Sequence, residues 1–152
     1  MNTKRGISVN IVSVCRTFVF FWLPPILFVL SMFFLSTRPD LRSSFPGPID
    51  LFLRKSAHIS EYFVLTLLLV RIGTRGRTER HTRIAAIILA SLGAFMTACF
   101  DEKIQSYIPG RVGSLYDIAI DTFGIVSAAF AMMLYYQKTP SRKEKKESGR
   151  RA

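Results

Sequence analysis

The chain has 152 residues, 49% of them hydrophobic with thirteen Phe, and its mean hydropathy of +0.28 stands beside a formal charge of +11. Long apolar stretches with basic ends exclude an ordinary water-soluble globule, and the length suits one compact membrane-embedded unit. No internal repeat is visible.

A hydrocarbon core about 30 Å thick asks roughly 20 residues of each crossing helix, and four segments approach that length. The first, residues 18–36, carries six Phe and no charge. Its apolar run exceeds the core of a signal peptide, about 7 to 15 residues, and no small-x-small site follows Leu35, so it is expected to remain as a span. Pro24 and Pro25 remove two amide donors within it and predict a kink or a break in hydrogen bonding that neighbouring helices must repair. The second segment, residues 51–72, is apolar after Tyr62, but its first turns hold Arg54, Lys55, His58 and Glu61. That half must face protein or water. The third, residues 84–100, is rich in Ala, Gly and Ser; the fourth, residues 114–136, is apolar except for Asp117 and Asp121. The fold class expected is an all-α membrane protein, a bundle of four transmembrane helices over residues 18–136.

Orientation follows from the cations. Residues 1–17 hold three Lys and Arg, residues 71–83 hold five and residues 137–152 hold seven, all on one side if four helices cross. The other side has Arg38, Arg42, Arg54, Lys55, Lys103 and Arg111, diluted by Asp40, Asp50, Asp101 and Glu102. The positive-inside rule then places both termini in the cytoplasm, with two polar loops facing outward. The tail, residues 137–152, is basic and lacks apolar periodicity, which predicts disorder; it serves either contact with an anionic leaflet, favoured over nucleic acid, or only as a topology signal. Cys15 and Cys99 fall near opposite membrane faces, so no intramolecular disulfide is expected.

At 100° per residue, Lys55, His58 and Tyr62 lie within about 60° of one another on the second helix, with Glu61 a further 60° beyond His58. On the fourth, Ser114, Asp117, Asp121, Gly124 and Ala128 share a stripe; on the third, Ala90, Ala94, Thr97 and Asp101 do. Small residues four apart let helix backbones approach closely. Asp101 and Glu102 stand at the carboxyl end of the third helix, where the dipole disfavours anions by about 0.3–1 kcal/mol each, so cationic partners are expected, with Lys55 and Arg111 the candidates. Arg111, behind a Pro109-Gly110 turn, is placed to close over Asp117, and Asp121 is expected to be protonated or paired with His58. The candidate polar pocket comprises Lys55, His58, Glu61, Tyr62, Asp101, Glu102, Gln105, Arg111, Asp117 and Asp121.

The run Lys55, Ser56, Ala57, His58, Ile59, Ser60, Glu61, Tyr62, followed some forty residues later by Asp101, Glu102, Gln105, Pro109, Gly110, Arg111, Gly113, Asp117 and Gly124, resembles the VanZ-like membrane proteins. Two positions depart from the family pattern: Arg54 stands where many relatives carry an acid, and Asp121 where an Asn is common. The resemblance implies a multi-pass protein of the bacterial plasma membrane and a link to low-level resistance to the glycopeptide teicoplanin. It implies no mechanism and no cofactor.

Three readings fit these residues. As an accessory or binding protein of the cell envelope, the chain recognises an anionic lipid head group, a lipid-linked wall precursor or a lipoglycopeptide through Lys55, Arg111 and Arg54. As a membrane-embedded enzyme, it uses His58 or Glu61 as base, Asp101 or Glu102 as partner, and Lys55 or Arg111 to steady negative charge. In that class His58 and Glu61 with Asp101, Glu102 and Asp117 are also candidate ligands for a divalent metal. In the third reading the same groups form an interhelical network that serves only the fold. Outside the pocket, His81 sits in the basic loop and is expected to be solvated.

Overall fold

The structure is a computed structural model that describes residues 11–38, 46–75, 79–109 and 114–139. Among these residues it is all helix, in four pieces. The first helix covers residues 11–36 and changes register on the way: Ile11–Thr17 is α-helical, Phe18–Trp22 π-helical and Leu23–Ser36 α-helical again. The two prolines cause this. Pro24 and Pro25 have no amide hydrogen, so Phe20 and Phe21 lose the donors four residues on, and the ladder slips to the next register, with the Leu23 N–H donating to the Phe18 carbonyl. The expected kink is thus a π-helical turn rather than a break.

The other three helices outrun the apolar segments that announce them. The second is Gly47–Gly73 rather than 51–72, because Pro48 in its first turn has the backbone angle a helix start requires. Asp50, in that positive first turn, pairs with Arg54 one turn on at 2.9 Å. The third is Arg80–Gln105 rather than 84–100, so Asp101 and Glu102 belong to its last turns, at the carboxyl end expected of them. The fourth is Leu115–Lys138, and the Ser114 hydroxyl caps it by accepting the Tyr116 N–H at 3.1 Å. Four helices are therefore long and apolar enough to cross a membrane: Val14–Ser36, Gly47–Gly73, Arg80–Gln105 and Leu115–Lys138.

The second, third and fourth helices pack on one another along most of their lengths; the first touches the second and third and leaves the fourth alone. Small residues explain the closeness. Ala86, Ala90, Ala94 and Ala98, spaced by four on the third helix, are all buried, as is Ala128 on the fourth. A Cβ at Gly124 would overlap the Ile59 carbonyl of the second helix. One core cluster joins Met32, Tyr62, Leu65, Ala94, Ala98 and Ile125; a second joins Val70, Ile87 and Ala90. Bulky apolar side chains such as Leu27, Leu89, Met96 and Phe130 point outward instead. This distribution, small within and large without, is what a bilayer solvent permits, since lipid tails are as good a partner for Leu as the core is.

Candidate functional site

At the end of the bundle where the second helix begins and the third ends, charged side chains from three helices meet around the start of the fourth. Lys55 on the second helix pairs with Asp117 on the fourth, and one turn deeper His58 Nδ1 faces Asp121 Oδ1 at 3.3 Å. Both contacts bind the second helix to the fourth just above the crossing of Gly124 and Ile59. The close approach follows from Gly124, and it brings two short stretches of polar sequence within reach of each other.

The third helix contributes carboxylates that are satisfied differently. Asp101 is 1% exposed, and its Oδ2 accepts from Gln105 Nε2 at 2.8 Å and from Ser36 Oγ at 3.0 Å. Glu102 accepts the backbone N–H of Ser114 at 2.5 Å. These two acids were expected to find cations. They find a hydroxyl, an amide and a peptide N–H, while Lys55 is taken by Asp117. The dipoles supply the reason: Ser114 caps the fourth helix, so Glu102 meets the positive end of one helix while sitting at the negative end of another.

Of the ten pocket residues, Lys55, His58, Glu61, Tyr62, Asp101, Glu102, Gln105, Asp117 and Asp121 are brought to this one end. Arg111, with Gly110 of its turn, lies outside the described residues, as do Asp40, Arg42 and most of the basic tail. Arg54 is held by Asp50 and is half exposed. Two contributors escape the sequence reading. Ser36, at the far end of a helix that looks purely apolar, gives no signal beyond being its last polar residue, and a backbone N–H such as that of Ser114 carries no side-chain signature at all.

The chemistry is acceptor-rich. Glu61, Asp101, Glu102, Asp117 and Asp121 face Lys55 and His58, and the half-buried Glu61 lies in the field of His58, Asp101 and Asp121. Buried Asp101 Oδ1, Glu102 Oε2 and Asp121 Oδ2 meet no hydrogen-bond donor among the described residues. Tyr62 is wholly buried, and its hydroxyl, surrounded by these acids, has no hydrogen-bond partner either. Such groups cost about 1–3 kcal/mol each when unmet, so they call for a donor beyond the described residues. A divalent metal is not favoured by the geometry: no three His, Cys, Asp or Glu among the described residues stand close enough together to ligate one.

Fold and cluster together define a class, the multi-pass helical membrane proteins with ionisable groups gathered at one end of the bundle. Within that class the family model for VanZ/LLP1 matches residues 8–136, most of the chain, and the protein belongs to this family. No curated protein and no solved structure matches the chain.

Proposed function

We propose that this chain is an accessory binding protein of the bacterial plasma membrane, with both termini cytoplasmic and the charged cluster in the outer half of the bilayer. The cluster engages the polar head group of a lipid-linked wall precursor or a lipid-anchored glycopeptide. The observation that carries this reading is the set of buried acceptors on Asp101, Glu102 and Asp121 that meet no donor among the described residues, beside the Tyr62 hydroxyl, which has no partner among them either. Hydroxyl and amine groups of a sugar or peptide head group are donors of the required kind. With Lys55 and Arg54 already engaged by Asp117 and Asp50, an anionic part of that ligand falls to Arg111. The cation excess of the opposite end supports the outward placement of the cluster.

A second reading rests on a different observation. Lys55–Asp117 and His58–Asp121 both join the second helix to the fourth, which is what a purely structural network would do. Alanine replacement of Arg111 and of His58, each scored for protein abundance in the membrane and for teicoplanin susceptibility of the host, separates the two. Normal abundance with altered susceptibility supports the binding role; loss of protein in both variants supports the network.

A further inference from the structure

At the end of the bundle opposite the charged cluster, a groove of about 400 Å³ runs between the first three helices, floored by Gly73, Ala86 and Ala90 and walled by Trp22, Leu69 and Leu89. It exists because the third helix presents small residues there while the first helix, buried at Pro25, Met32 and Ser36, presses on its neighbours mainly higher up. Trp22, Ala85, Leu89 and Gly93 along its edge are exposed on the apolar flank, so it opens sideways, toward lipid and not toward water. An apolar trench in that position is filled by acyl chains, because a void forfeits dispersion contacts on one side.

The end of the trench is cationic. Arg75 lies one turn beyond Ile72, a lining residue, and reaches across to the first helix, where its guanidinium donates to Thr17 Oγ1 at 2.6 Å and stacks 4.7 Å from the Phe21 ring centroid. Arg71 covers the same ring at 5.2 Å. Both arginines are exposed. On the third helix His81 stands one turn before Ala85. An apolar slot for a chain thus ends beneath two guanidiniums oriented by an aromatic ring, the geometry of a phosphate contact.

We propose that this groove is a binding site for an anionic phospholipid, with one acyl chain in the slot and the phosphate against Arg71 and Arg75. The site is separate from the charged cluster and does not depend on what that cluster binds. Trp22 is the only tryptophan of the chain, which makes the test direct: the full-length protein in vesicles, with Trp22 fluorescence quenched by acyl-brominated phosphatidylglycerol or by acyl-brominated phosphatidylcholine at equal mole fraction. Half-maximal quenching is expected at a roughly threefold to tenfold lower fraction of the anionic lipid. Equal quenching by both lipids in the wild-type protein overturns the proposal. Arg71→Gln with Arg75→Gln is expected to abolish the preference while retaining quenching; a preference that survives removes the arginines from the site. Ala85→Leu, which fills the slot, is expected to weaken quenching by the anionic lipid to the level of the zwitterionic one. An Ala85→Leu protein as sensitive as wild type shows that the chain lies elsewhere. If a variant does not fold, the wild-type comparison of the two lipids still decides the matter.

Discussion

The two ends of the bundle meet the demand for polar pairing in opposite ways. At the basic end the interhelical groups are largely answered: the Tyr136 hydroxyl and Thr74 Oγ1 lie 3.1 Å apart, Thr74 donates to the Val70 carbonyl, and Arg83 donates to the Thr139 carbonyl at 2.9 Å while covering the Tyr136 ring. Among the described residues, Arg83 Nε is the buried group left over there. At the charged end Asp101, Glu102, Asp121 and Tyr62 hold buried atoms without a hydrogen-bond partner among the described residues, although the same second and fourth helices run through both ends. A network kept only to hold helices together has no physical reason to leave acceptors unmet, since each one subtracts from the stability it supplies. Among the described residues, then, the charged end leaves more acceptors open to a further donor than the basic end does.

The largest effect is expected where both ends depend on one contact. Gly124 sits at the crossing of the second and fourth helices, and its missing side chain is what admits the Ile59 backbone. Gly124→Val pushes against main chain, which cannot swing aside, so a loss of about 3 kcal/mol or more and little protein in the membrane are expected. Gly93→Ala is the control. Its new Cβ would meet Leu69 Cδ1 at 3.6 Å, an ordinary contact, so a gain of about 0.5–1 kcal/mol from helix propensity is expected. Thermal melts of the purified proteins check both, and a Gly124→Val protein as stable as wild type removes the helix crossing as the frame of the charged cluster.

Next in size is the Lys55–Asp117 pair, partly shielded on both sides. Lys55→Met and Asp117→Asn each leave a charge without its partner and are expected to lose about 1–3 kcal/mol, whereas the double variant recovers most of that loss. A double variant that merely adds the two losses means that each residue works through another partner, and Glu102 and Asp121, whose charges reach Lys55, are then the ones to examine.

How far the sequence discloses this arrangement varies along the chain. Helix number and the polar faces are legible, because hydrophobic length and a 3.6-residue period are properties of single segments. Helix ends are less so: Gly47 and Gln105 lie beyond the apolar windows, since Pro48 starts one helix early and Gln105, bonded to Asp101, extends another. Pairing is the least legible. Sequence chemistry offers Lys55 and Arg111 to Asp101 and Glu102; Lys55 goes to Asp117 instead, Arg111 lies outside the described residues, and a serine from the apolar first helix and a peptide N–H from the fourth meet one oxygen of each acid. Such partners depend on how helix ends abut in three dimensions, and neither periodicity nor charge counting carries that information.

The smallest effects give the sharpest contrast between the ends, because two tyrosines lose the same atom. Tyr136→Phe removes a hydroxyl that meets Thr74 across the bundle, so a loss of about 0.5–1.5 kcal/mol is expected. Tyr62→Phe removes a hydroxyl that is fully buried and bonded to nothing among the described residues. Relief of that unmet group makes the variant as stable as wild type or more so in detergent. If the Tyr62 hydroxyl exists for a ligand, the same substitution alters glycopeptide susceptibility of the host while leaving abundance intact. Stability lost equally in both variants would mean that Tyr62 has a partner within the protein and that the ends differ less than their hydrogen bonding indicates.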